Sequence, residues 1–266
     1  MDSHDFDRMI ARARDPRLIP GIYNYCDGRC PRCAFTGRCL VFLENVGDSA
    51  EHRAADATGD DVEVSLERTI AMLTEIARRE GVDLSALASE PDPDRARITL
   101  EHERDPLVVQ ARDYSTIAWR VSRALAPLLR VRGDDSTIDA VQTIEWFSSR
   151  IAAKLYRAVC GVADAWQADA DVQTDYDGSA KAALIAIRES RAAWATLMEA
   201  GRAAADGVPA RAAQALDELD AAVRERFPRA EAFVRPGFDE PAVAAGAPAT
   251  LPPWARRPMP SDGGEQ

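Results

Sequence analysis

Lysine is nearly missing from this chain of 266 residues: 33 positions are basic, yet only Lys154 and Lys181 are lysines and the other 31 are arginines. Histidine is scarce as well, at His4, His52 and His102, and aromatic residues make up 6%. Those histidine positions exclude a ferritin-like di-iron site, which needs a Glu-x-x-His pair on each of two helices. No run of about 18 apolar residues occurs, which excludes a hydrophobic membrane span. The start, Met1 to Ile10, is charged and lacks a basic flank followed by an apolar stretch, so the chain is expected in the cytoplasm. Acidic residues number 44 and the formal net charge is -11, which weighs against nucleic acid or an anionic membrane as partner. Nucleophile elbow, phosphate loop and dinucleotide fingerprint are all missing, and so is strand-like alternation.

What the chain does have is 46% hydrophobic residues, enough for a core, spaced with a helical period over most of its length. From Val62, the residues Leu66, Ile70, Leu73 and Ile76 recur at steps of three and four before a stop at Gly81. Pro91-Asp92-Pro93 reads as a break, and Glu101-His102-Glu103 as acid placed ahead of the next helix. Asp105 and Pro106 are suited to open that helix, which carries Val109, Ile117, Val121, Leu125 and Leu128 up to Gly133. The next begins near Asp135-Ser136 and keeps a stripe from Ile138 through Ile144, Ile151 and Leu155 to Val159, Val162 and Trp166. After the turn Asp175-Tyr176-Asp177-Gly178 comes another, with Leu184, Ile187, Trp194 and Leu197, and a last one spans about Pro209 to Phe227. The expected fold is all-α: a helical bundle over residues 62–230 with three long central helices. Residues 47–61 read as a linker, and residues 231–266 as a Pro-rich disordered tail in which Leu251-Pro252-Pro253-Trp254 is a short docking segment or inert.

The first 46 residues hold the strongest signal. Cys26, Cys30, Cys33 and Cys39 follow one another as C-x3-C-x2-C-x5-C, four of the chain's five cysteines. In a cytoplasmic protein such a cluster points to a metal, because crowded thiolates repel unless a cation holds them. Between residues 16 and 40, Arg17, Arg29, Arg32 and Arg38 stand against Asp27 alone, a local charge of +3 suited to an anionic metal–thiolate centre. Gly28 and Gly37 provide turns and Pro31 stiffness. Short spacers throughout favour a [4Fe-4S] cluster, held by Cys26, Cys30, Cys33 and Cys39; a structural Zn site, which more often joins two spaced pairs, is the alternative. The first three cysteines also match the spacing of radical enzymes that use S-adenosylmethionine, but Cys39 closes the site and alternating βα units are missing. Cys160, among Val159, Gly161 and Val162, reads as a small buried hydrophobe.

The stretch Ile19-Pro20-Gly21-Ile22-Tyr23-Asn24-Tyr25-Cys26 through Phe35-Thr36-Gly37-Arg38-Cys39 resembles the opening of a group of uncharacterised bacterial proteins that join a four-cysteine segment to a helical body. Ile144 to Phe147, Lys154 to Ala158 and Asp177 to Lys181 are similar to later parts of the same group. The resemblance implies that cysteine segment and helical body belong together, and it supplies no activity.

Because arginine is the generic cation here, the two lysines mark places where a compact ammonium is preferred to a planar fork. Glu145, Lys154, Asp177 and Lys181 are therefore expected to form a partly buried polar network between the third and fourth helices; ordinary boundary charges with a helix cap are the plainer account. Three functions follow: a metal-binding helical protein acting in redox or sensing, a zinc-stabilised scaffold that binds a protein partner through its body and the Trp254 tail, or an enzyme built on the Glu/Lys/Asp residues.

Overall fold

The structure, a computed structural model, describes residues 3–44, 60–84, 93–163, 172–201 and 207–240, among which there is no strand. The helices are α1 (Ser3–Ala13), α2 (Asp60–Glu80), α3 (Pro93–Glu103), α4 (Pro106–Arg132), α5 (Asp135–Ala163), α6 (Asp175–Glu199) and α7 (Val208–Arg226). Short 3-10 turns cover Ile22–Asn24, Cys30–Arg32, Thr36–Arg38 and Ala230–Ala232. Among the described residues no helix is long and apolar enough to cross a membrane. The linker reading falls mostly on residues 47–59, outside the described residues, as do Trp166, Trp254 and the tail from 241 onward.

The chain forms two compact units: Met1–Asn24 with Gly28–Pro91 and Pro236–Gln266, and Tyr25–Asp27 with Asp92–Arg235. The division passes through the cysteine motif.

In the second unit α5 packs along α6 and α4, and α7 lies against both α4 and α6. Three of its helices start where a side chain accepts an unpaired N–H group of the first turn, whereas α7 starts at Gly207 without such a cap. Asp105 accepts from the Leu107 amide (3.0 Å) at the head of α4. Asp134, rather than Asp135 or Ser136, accepts from the Thr137 amide (2.9 Å) and the Ser136 hydroxyl (2.7 Å) ahead of α5. Thr174 accepts from the Asp177 amide (3.2 Å) while its hydroxyl donates back to the Asp177 carboxylate (2.6 Å) at the start of α6. The apolar stripes then meet. Ile151, Leu155, Ile187, Leu197 and Leu216 are fully buried, each contributing about 1.5–3 kcal/mol relative to exposure. Inside this core the Trp194 indole N–H donates to the Tyr114 hydroxyl (3.2 Å), so the polar tips of two large side chains satisfy each other.

Residues 231–235, assigned from sequence to the tail, are part of this unit. Phe233 is buried, and the Val234 amide donates to the Gln173 side chain.

In the first unit Leu18, Ile19 and Ile22 are buried, and the Ile19 amide donates to the Arg38 carbonyl (2.9 Å), tying the residues before the cysteines to those between them. Phe35 stands edge-on to Phe238 with ring centres 5.1 Å apart. Phe6 on α1 lies under the Arg79 guanidinium of α2 (4.4 Å), which also pairs with Asp7 and Glu75.

The helix read from Val62 to Gly81 is present as α2, while one other reading differs from the outcome. Leu66, Ile70 and Leu73 on α2 are 59%, 55% and 50% exposed, because a helical period specifies a stripe but not whether another element covers it. No helix is expected between the break at Pro91-Asp92-Pro93 and Glu101, yet Pro93–Glu103 is helix α3; Glu101 to Glu103 precede α4 as expected and also form the last turn of α3. Its signal is faint because Ile98 and Leu100 stand two residues apart and form no stripe at helical spacing.

Candidate functional site

The cysteine motif folds as a series of tight turns. Gly28 takes φ 70°, a left-handed conformation that a side chain resists, and lets the Cys30 amide donate to the Gly28 carbonyl (2.9 Å). Gly37 lies within a 3-10 turn and needs no such freedom. Pro31 occupies the first turn of Cys30–Arg32, where its missing N–H costs nothing, and the Cys33 amide closes that turn on the Cys30 carbonyl (3.1 Å). The Phe35 amide donates to the Cys33 sulfur (3.4 Å). Cys39 follows the turn Thr36–Arg38 and leads into a helical turn over 40–44, its carbonyl accepting from the Leu43 amide (3.1 Å). None of these cysteines is in a disulfide, and all are partly buried.

Cysteine sulfur is a donor type that a soft metal takes. Among the described residues no three side chains of His, Cys, Asp or Glu are gathered around a common point. Cys30, Cys33 and Cys39 belong to the first unit, and Cys26 to the second.

Cys26 is held in place by its two neighbours. The Tyr25 hydroxyl donates to Asp175 (2.8 Å), and Asp175 also receives a two-pronged bond from Arg157 (2.8 and 2.7 Å). The Tyr25 ring lies 4.7 Å from that of Phe233. Both rings cover Gly178 so closely that a Cβ there would meet Tyr25 Cε1 at 2.4 Å and Phe233 Cζ at 2.6 Å. On the other side, the Trp146 indole N–H donates to the Asp27 carbonyl (2.8 Å). Burial opposes ionisation of Asp175, but the Arg157 fork and the Tyr25 hydroxyl outweigh it and hold the carboxyl below its ordinary value. Burial, then the Asp175 carboxylate, push the Tyr25 hydroxyl well above the ordinary phenol value.

Beside Cys26 lies a small cleft whose lining includes Arg150, Lys154 and Arg235 and whose apolar part includes Phe147 and Ile185. Burial lowers the Lys154 ammonium, and Arg157 and Arg150 add to this against the opposing pull of Cys26 and Asp175.

The four residues expected to form a polar network occupy different settings. Glu145 is exposed on α5. Lys154 lines the cleft. Asp177 is buried, joined to Thr174 at the head of α6, with Arg229 3.8 Å away. Lys181 donates to the carbonyls of Phe233 (2.5 Å) and Glu231 (3.2 Å), clasping the turn Ala230–Ala232. Cys160 is partly buried, and its bond to the Tyr156 hydroxyl raises that phenol.

Sequence reasoning passed over Tyr25, Trp146, Arg150, Asp175 and Arg235. The one available signal was Gly178, a glycine inside a helical pattern, which marks close approach of another part of the chain. Comparison with protein-family models, with curated proteins and with solved structures finds no match.

Proposed function

We propose that the chain is a cytoplasmic metal-binding protein, an all-helical bundle with three long central helices, whose Cys26, Cys30, Cys33 and Cys39 hold one [4Fe-4S] centre acting in redox or sensing. The observation that carries this reading is the four cysteines in C-x3-C-x2-C-x5-C, with short spacers throughout. It is supported by the Phe35 amide, which donates to the Cys33 sulfur as amides do around metal-bound thiolates. Such a cluster, when bound, supplies reversible one-electron chemistry. The protein's part is to present four thiolates, to offset their charge with Arg17, Arg29, Arg32 and Arg38, and to fix Cys26 through Tyr25 and Asp27.

The test is anaerobic purification of the full chain. Brown protein absorbing near 400 nm, on the order expected of iron–sulfur centres, with iron and sulfide in equal amounts supports the reading. Colourless protein with stoichiometric zinc replaces it with a zinc-stabilised scaffold for a protein partner, and protein without metal overturns both.

A further inference from the structure

Helix α2 meets α1 through the side that bears Glu75 and Arg79. Arg79 pairs with Asp7 and with Glu75, and its guanidinium lies over the buried ring of Phe6 (4.4 Å). At 3.6 residues per turn, Leu66, Ile70 and Leu73 fall on the opposite side of the helix, with Ile76 at the edge of the same stripe. All four are exposed. Large apolar side chains in a row over about three turns form a continuous patch of the kind that marks a docking surface, and α1 cannot cover it while it occupies the other side.

Two properties of the stripe point to a second copy of this chain as its occupant. Its order reads alike in both directions: a two-fold axis between residues 71 and 72 sets Ile70 of one copy opposite Leu73 of the other, and Leu66 opposite Ile76 and Ala77. Such self-complementarity is what an isologous contact requires. The charges fix the direction. The helix sequence opens with Asp60, Asp61, Glu63 and Glu67 against Arg68, and carries Arg78 and Arg79 ahead of Glu80 at its end. Glu67 and Arg78 are about three turns apart and share one flank of the stripe. Parallel copies would set the acidic ends side by side, whereas antiparallel copies bring Glu67 of each toward Arg78 of the other. Arg78 is already paired with Glu75 in its own chain (2.7 Å), so this contact orients the pair more than it strengthens it.

We propose that α2 is a homodimer contact, an antiparallel two-helix seam built on Leu66, Ile70, Leu73 and Ile76.

Sedimentation of the full chain as purified, over a range of concentrations, is expected to show a monomer–dimer equilibrium. Leu73→Glu is expected to raise the dissociation constant about a hundredfold or more, because the two-fold axis takes two leucines out of the seam at once. Circular dichroism should show the helical content kept, since Leu73 is exposed in the single chain. Glu67→Arg and Arg78→Glu should each weaken the dimer several-fold, and the double variant should recover it. Residues three turns apart on one helix do not meet, so recovery requires contact between copies. A chain that stays monomeric at about 1 mM, a dimer that Leu73→Glu leaves intact, or a double variant no better than the single ones would overturn the proposal.

Discussion

The Tyr25 hydroxyl donates to the Asp175 carboxylate across 2.8 Å, joining residues 150 positions apart. One hydrogen bond thus sets the residue immediately before the first cysteine of the motif against the head of α6. The contact has three supports: the Arg157 fork on Asp175, the Phe233 ring on Tyr25, and the bare backbone of Gly178 beneath both rings.

Gly178→Ala is expected to destabilise the protein by about 1–3 kcal/mol, as overpacking does. On an exposed helix the same change would stabilise by about 1 kcal/mol, because alanine is the better helix former. Chemical denaturation decides between the two signs. Gly161→Ala, whose Cβ would meet Tyr176 Cβ at 3.1 Å, should have a smaller effect.

Acid should release Tyr25. The Asp175 carboxyl is depressed in the folded chain, so its contribution is complete above the unfolded value, about 3.9, and disappears as pH falls through the lower folded value. Asp175→Asn should therefore be less stable than wild type at neutral pH, with the gap closing in acid. The Tyr25 phenol is raised, so its contribution holds below about pH 10 and fades above it, and Tyr25→Phe should flatten the alkaline loss of stability. Thermal unfolding of the three chains across pH checks both limbs.

Lys181→Met should cost about 1.5–3 kcal/mol, since the carbonyls of Phe233 and Glu231 lose a charged donor. Lys181→Arg should recover only part of this, because a planar fork does not replace a compact ammonium against two carbonyls. Denaturation midpoints measure the difference, and hydrogen exchange at residues 231–235 should rise in step.

Under the metal-centre proposal, Cys26→Ser, Cys30→Ser, Cys33→Ser and Cys39→Ser each lose metal, whereas Cys160→Ser keeps it. Metal analysis of the five variants is the check. Retention in Cys39→Ser would point to a three-cysteine centre with an open position.

Much of the helical content was legible in the sequence because helix formation is local: apolar steps of three and four, a carboxylate or hydroxyl ahead of the first turn, and glycine or proline at the breaks. Asp105 before α4 and Gly81 after α2 were visible in this way. Helix α3 was not, because its exposed Ile98 and Leu100 form no stripe. The cysteines were legible through their spacing alone, but the residues around Cys26 were not, because Tyr25, Asp175 and Arg157 lie far apart in the chain and no period links them.

By itself, then, the sequence determined that the chain is helical, where most helices begin and end, and that four cysteines stand together in a locally cationic segment. Each is a property of neighbouring residues. Tertiary structure alone decided that the stripe on α2 is exposed, that Lys181 clasps a turn while Lys154 lines a cleft, and that Cys26 belongs with the helical unit while Cys30, Cys33 and Cys39 belong with the other. Those outcomes depend on which surfaces meet when remote segments pack, and the order of residues along one helix carries no record of what will cover it.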